Sequence, residues 1–373
     1  MQLLREGYHE KLFLFIDEQE GLVVRKQAKS ERGSTLAMEI TWLEELPPSL
    51  HRYFPRVIRS ERANGNGGMP FYDMPYFGRD WVMLSELILA QTRDHKSVLS
   101  LIAQVLRVMF EGVFPTTYSE EACAYPETVV LLFERSIQSI ARMPAFSSLV
   151  FSDTLLLNGE QQRNVFPLLE FIKSRNDIQD ALRPAAIRKV HGDLYPENVL
   201  VYLPSLRWAV PRVMLIDPIA AIGLSRGDFA MDVAKFRSWL SAELLALRLG
   251  LFSIRQQHSP HPTFRFHLHI HDAHLRALSD GRLLHEFGHL LDTAAWARDV
   301  CDADPQWWQR VSLYESIYAL SMVPFVPPSQ SLGRFLVGVQ HLNAFVRSVE
   351  NAHTTNMNQS GTGRSAFPAS YGQ

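Results

Sequence analysis

The stretch from residue 10 to 28 gives the clearest short-period pattern in the chain. Two apolar-rich runs, "KLFLFID" and "LVVRKQA", are strand-length and are separated by the polar "EQEG", so together they predict a β-hairpin. In "STLAMEITWLEEL" the period changes: Leu36, Ile40 and Leu43 or Leu46 recur at helical spacing, with Ser34 or Thr35 as the N-cap. Two more strand-like runs, "YFPRVIRSER" and "MPFYDMPYF", flank the turn-rich "ANGNGG". Residues 1–77 therefore predict a small, mainly antiparallel sheet carrying one helix.

Beyond residue 77 the apolar positions follow long helical repeats. "DHKSVLSLIAQVLRVMFEGVF", "PETVVLLFERSIQSIARM" and "VFPLLEFIKS" each read as amphipathic helices. The pattern is interrupted by strands around 187–217. It resumes in "DFAMDVAKFRSWLSAELLALRLGLF" and continues through "LLHEFGHLLDTAAWARDV" to "RFLVGVQHLNAFVRSV". The expected organisation is a helical region over 78–350 followed by a mobile polar tail over 351–373. No internal repeat is visible.

Composition narrows the partners. Lys and Arg total 37 against 39 Asp and Glu, so no net basic field points to nucleic acid or an anionic membrane, and a small-molecule ligand is the default expectation. Two cysteines, Cys123 and Cys301, are too few for a disulfide framework or a thiolate metal site, which fits a reducing compartment. No apolar run reaches the roughly 20 residues of a membrane helix, and the N-terminus has charges where a signal sequence is apolar. A cytosolic (cytoplasmic) location is expected.

The candidate chemistry centres on "KVHGDLYPENVLVYL", where a polar elbow sits between two apolar runs. Phosphoryl transfer from a nucleotide needs a base beside the acceptor hydroxyl, oxygen ligands for Mg2+ and a cation on the phosphates. Asp193 is placed to accept a hydroxyl proton, and Asn198, five residues on, offers a neutral carbonyl oxygen to a hard cation. Asp217 closes the strand-like "RVMLID" as a second metal ligand. Lys26 closes "LVVRK" and Glu39 lies thirteen residues later on the predicted helix, a pairing that would hold an ammonium against phosphates. Arg25 is the rival cation, and a solvated strand-end lysine is the bland alternative.

"HGDLYPENVL", "LIDP" and "GDFAMDVAKF", in this order and spacing, resemble the successive motifs of the aminoglycoside phosphotransferase and choline kinase-like family. The likeness in order runs from about residue 10 to 240. It implies an α+β, protein-kinase-like two-lobed fold, with residues 1–77 as the nucleotide-binding lobe and 78–350 as a helical lobe whose segments 79–186 and 240–350 form the acceptor site. It also implies an enzyme using ATP and Mg2+ to phosphorylate a hydroxyl of a small molecule: a sugar, amino sugar, polyol, amino alcohol or antibiotic. By this resemblance Asp193 is the base, Asn198 and Asp217 hold the metal, and Lys26 with its partner Glu39 holds the phosphates. The backbone from Met74 through Tyr76 to Phe77 is the interlobe hinge that holds adenine. His191, Asp228 and Asp232 support the loop.

Two features qualify the resemblance. The phosphate loop, "REGYHEKLF", has only Gly7 beside the bulky Tyr8 and His9, which leaves a catalytically weak, pseudokinase-like binding module as an alternative. Pro218 directly after Asp217 is common in small-molecule kinases and differs from the "DFG" of protein kinases.

A second motif competes. "LLHEFGHLL" has the HExxH spacing, with His285 and His289 as zinc ligands, Glu286 as base and Glu315 at a distance compatible with a third ligand, the signature of a metalloprotease. The plainer reading is an amphipathic helix with Leu283, Leu284, Phe287, Leu290 and Leu291 facing the core. In "FHLHIHDAH", His267, His269 and His271 fall on one face of a possible strand, suited to metal, to a substrate pocket or to a plain surface.

Overall fold

The computed structural model describes residues 1–6, 10–30, 35–62, 68–90, 95–118, 125–207, 210–219, 225–257, 264–271 and 282–358, with side chains to residue 351. Its contacts divide it into two compact units, Met1–Thr117 with Arg188–Gly227, and Tyr118–Ile187 with Asp228–Gln373. This division joins residues 78–117 and 188–227 to the N-terminal sheet, whereas the sequence reading set its boundary at residue 77.

In the first unit five strands pair antiparallel in the spatial order Gln2–Glu6, Glu10–Asp17, Gly21–Ala28, Phe71–Pro75 and Arg59–Glu61. The hairpin read from residues 10–28 is its centre. The edge strand Gln2–Glu6 is exposed at all five positions, so it carries no alternation from which it could have been read. Helix Leu36–Glu44 buries Leu36, Glu39, Ile40, Trp42 and Leu43. Thr35 occupies its N-cap position without making a side-chain cap bond.

A second, three-stranded antiparallel sheet, Trp81–Met83, Val199–Tyr202 and Val213–Leu215, completes this unit with helix His95–Val108. Its register sets Val199 against Leu215. Asn198, just before one strand, and Asp217, just after the other, are therefore brought to the same end of the sheet.

The second unit is mainly helical, as read: Tyr125–Ala141, Val165–Ser174, Ala230–Leu240, Glu243–Leu249, Arg282–Thr293, Trp307–Ser321 and Pro328–Asn358. The continuous helical reading of 228–252 needs correction. The backbone turns left-handed at Ala242, with φ +63°, and again at Gly250, with φ +70°, so two short helices replace one long one. The last helix runs to Asn358, past residue 351 where the tail was expected to begin. Residues 359–373 lie outside the described residues.

This unit also holds a four-stranded sheet where the sequence reading had helices and one possible strand: Phe252–Gln257, Phe264–Ile270, Thr154–Leu157 and Glu160–Arg163. Asn158 and Gly159, at φ +52° and +88°, form a two-residue hairpin turn of the type that needs left-handed backbone twice. One face packs Phe252 and Leu268 against Leu244, Leu247, Ala319 and Val337. His267 and His269 alternate to the opposite, exposed face, as the strand reading requires. Among the described residues no helix is long and apolar enough to cross a membrane.

Candidate active site

Strand register decides between the two candidate cations. Successive strand residues point to opposite faces, and Lys26 pairs with Tyr72 while Arg25 pairs with Asp73. Arg25 is spent on its own face, where its Nε and Nη2 bind the two oxygens of buried Asp73 at 2.8 and 3.0 Å, with Phe71 under the guanidinium at 3.8 Å. Lys26 turns inward and is 4% exposed. Its Nζ donates to both oxygens of Glu39, at 2.9 and 2.8 Å, and to Oδ1 of Asp217 at 3.0 Å.

Tyr72, opposite Lys26 in register, adds a contact that sequence reading missed: its hydroxyl donates to Glu39 Oε1 at 2.7 Å. The signal was available, because Tyr72 shares its strand face with whatever Lys26 reaches. One ammonium thus serves two carboxylates. Burial disfavours the Lys26 charge, but Asp217 and Glu39 outweigh it and hold the group well above the ordinary lysine range. Burial pushes the Glu39 carboxyl up to about 7 against the pull of Lys26. For Asp217 burial is overridden, chiefly by Lys26, and its carboxyl lies below the usual range. The Asp217 side chain remains 35% exposed, which leaves it open to a ligand.

The loop before Asn198 is held from within. Gly192, with φ +80°, makes the turn into Asp193 in a conformation that costs other residues more. The Asp193 N–H donates to His191 Nδ1 at 3.3 Å, and the Asn198 side-chain amide donates to the Asp193 carbonyl at 2.8 Å and to Oδ2 at 3.0 Å. With its nitrogen committed to Asp193, Asn198 keeps its carbonyl oxygen for another partner. His191 is fully buried, edge-on to Trp42, and its carbonyl accepts from Ile219 N–H at 2.6 Å. Ile216 N–H donates to the main-chain carbonyl of Asn198 at 2.9 Å. Asp217 and Ile219 both have left-handed backbone, φ +56° and +69°, an uncommon state for non-glycine residues that collects at functional sites.

The hinge residues divide. Met74 is buried in the sheet opposite Val24, whereas Tyr76 is 41% exposed and its N–H is already given to the Leu22 carbonyl at 3.1 Å. Phe77 lies edge-on to Trp81. Gly7, Tyr8 and His9 of the expected phosphate loop lie outside the described residues.

Asp228 and Asp232 are fully buried. The Asp228 carboxylate accepts from Arg310 Nε at 2.5 Å, from the Tyr314 hydroxyl at 3.0 Å and from Ala230 N–H at 3.0 Å, all within the second unit. The rival zinc constellation does not assemble. Helix Arg282–Thr293 buries Leu283, Phe287 and Leu291, leaving His285 and His289 exposed and Glu286 beside Arg282. Glu315 is fully buried and paired with Arg237 and His341. Among the described residues no three His, Cys, Asp or Glu side chains converge as a metal site.

No family model and no curated protein matches the chain. Solved structures do. A candidate aminoglycoside phosphotransferase from Ralstonia eutropha aligns at TM-score 0.52 and 10% identity, over 94% of this chain and 92% of that one. A Plasmodium vivax ethanolamine kinase aligns at 0.46 and 10%, over 91% and 81%, and a choline kinase from Cryptosporidium parvum at 0.45 and 10%, over 96% and 91%. The first alignment shows the fold: the chain is folded like that Ralstonia eutropha structure, with an antiparallel sheet toward the N-terminus and a helical C-terminal region.

Proposed function

We propose that this protein is an ATP-dependent phosphotransferase that moves the γ-phosphoryl group to a hydroxyl of a small molecule. The observation that carries the reading is the triple grip on Lys26, whose ammonium is buried between Glu39 and the partly open Asp217. Here one of the two carboxylates sharing the buried cation stands on strained backbone and is reachable by solvent, unlike a structural ion pair sealed on all sides.

On this reading Lys26 passes part of its hydrogen bonding to the nucleotide phosphates while Glu39 and Tyr72 keep it oriented. The fit for Mg2+ rests on donor chemistry: the Asp217 carboxylate and the free side of the Asn198 amide supply the oxygen ligands that a hard cation takes. When bound, the ion supplies charge to neutralise the phosphate oxygens. Asp193, fixed by Asn198, accepts a hydrogen bond from the acceptor hydroxyl and takes its proton as the new phosphate ester bond forms and the bond between the γ-phosphorus and the β–γ bridging oxygen breaks, with ADP leaving. Adenine is held by backbone groups near Met74 to Phe77 other than the Tyr76 N–H. The acceptor is a hydroxyl-bearing small molecule such as a sugar, amino sugar, polyol, amino alcohol or antibiotic.

Thermal melts with and without Mg-ATP test this directly, because a ligand of the native state raises its apparent stability. The parental protein is expected to gain several degrees. Asp217→Ala is expected to lose both the magnesium-dependent gain and turnover with a panel of hydroxyl acceptors; unchanged magnesium dependence in that variant defeats the assignment.

A further inference from the structure

Trp42 lies one helical turn beyond Glu39 and is 1% exposed. Its indole N–H donates to the Val190 carbonyl at 2.8 Å. In the opposite direction, Lys189 Nζ donates to the Trp42 carbonyl at 3.1 Å, lies 4.9 Å from the indole centre and is 3.6 Å from Glu45 Oε2. Both contacts answer a need. A buried indole N–H requires an acceptor, and the Trp42 carbonyl, among the last four of helix Leu36–Glu44, has no partner within the helix. A cation at that end also complements the helix dipole. Lys189 is itself only 4% exposed, so neither bond exchanges freely with water.

These reciprocal bonds join the helix carrying Glu39 to the two residues that precede His191 and the Asp193 loop. Resting on the phosphotransfer reading above, we propose that Trp42 and Lys189 are positioning residues. They fix the Glu39 helix on Lys189 and Val190, just ahead of the loop that carries the base, so the Lys26–Glu39 grip is preset by the chain itself. Phe54, 5.1 Å from Trp42 in edge contact, backs the indole from the segment whose Tyr53 carbonyl accepts from Leu215 N–H, just ahead of Asp217.

Trp42→Phe keeps an aromatic ring and removes the donor, and Lys189→Met keeps the stem and removes the charge. In the ligand-free protein, either variant is expected to speed amide exchange about tenfold in helix Leu36–Glu44 while leaving helix His95–Val108 unchanged. Mg-ATP dissociation constants supply the second arm. Trp42→Phe and Glu39→Gln are each expected to weaken binding about tenfold, and the double variant to bind no worse than Glu39→Gln alone, because both act through one grip. Unchanged exchange, equal acceleration in both helices, or additive losses of affinity overturn the proposal. A parental protein that does not bind Mg-ATP sinks the phosphotransfer reading instead, and the exchange arm then decides the positioning by itself.

Discussion

Charge is buried in both units, but the two burials are built differently. In the first, Lys26 faces Glu39 and Asp217, and the Asp217 side chain is 35% exposed. In the second, Arg310 holds Asp228 and Asp304, and Arg237, Glu315, His341 and Glu243 form a chain of contacts, with Arg310, Asp228 and Glu315 sealed completely. The sealed Arg310 cluster has its partners already and holds helices together, whereas the Arg237 chain ends at Glu243, 23% exposed but on ordinary helical backbone. A cluster with one member open to solvent and seated on left-handed backbone is poised to change partners. Burial of charge by itself is a poor guide to function; the open member is the informative part.

The comparison breaks most decisively if the open site can be disarmed without loosening the fold. Asp193→Asn keeps size and most hydrogen bonds, so the melt should barely move and Mg-ATP should still bind, while turnover falls by roughly 10²- to 10⁴-fold. Phosphorylation at the parental rate would remove Asp193 from the role of base. Arg310→Met should do the converse, destabilising the protein by about 3–5 kcal/mol in denaturant titrations because Asp228 and Asp304 are left buried without their cation. A loss under about 1 kcal/mol would show that the sealed cluster is no structural anchor.

Smaller effects separate the clusters by pH. His341, buried against Glu315 and Glu243, has its pKa pushed up to about 10, the carboxylates outweighing burial. Its stabilisation is fully present below about pH 6.5 and is lost as pH rises through about 10, so His341→Gln should flatten the alkaline limb of a stability profile. Glu39 is an acid raised to about 7, so the folded state takes up its proton where the unfolded chain does not. Stability from this group is fully present below about pH 4.5 and declines as pH climbs through about 7; Glu39→Gln should remove that slope and leave the alkaline limb intact. Superimposable profiles for the two variants would mean that the clusters are not independent.

Much of the site was legible because most of its residues lie at element ends. Asp193, Asn198 and Asp217 follow or precede runs whose period could be read, and short motifs fix their spacing, whereas Lys26 stands inside the strand Gly21–Ala28, whose alternation sets its face. What escaped was of two kinds. Tyr72, Trp42 and Lys189 sit inside ordinary-looking apolar elements, and their roles exist only through partners 33, 148 and 147 residues away. Periodicity reports which face is buried, not which polar atom it hides. The four-stranded sheet is a different failure. The pair Asn158–Gly159 is a strong hairpin signal, but the neighbouring "VFPLLEFIKS" and "PETVVLLFERSIQSIARM" drew the whole region into a helical reading. The break at Ala242 had no breaker residue to announce it, since alanine favours the helix interior. Its left-handed backbone is imposed by the surrounding packing.

Ile219 shows what such imposed backbone implies for substitution. Left-handed backbone at a β-branched residue costs about 1–3 kcal/mol, while burying the isoleucine side chain, here 5% exposed, contributes a comparable amount, about 1.5–3 kcal/mol. The side chain acts as a latch that keeps its own main chain sprung, with the amide pressed to the His191 carbonyl at 2.6 Å. Glycine at 219 would relieve the twist and release the latch together. With the two contributions near cancellation the sheet would still hold, but the turn carrying Asp217 would have lost the constraint that its neighbour supplies.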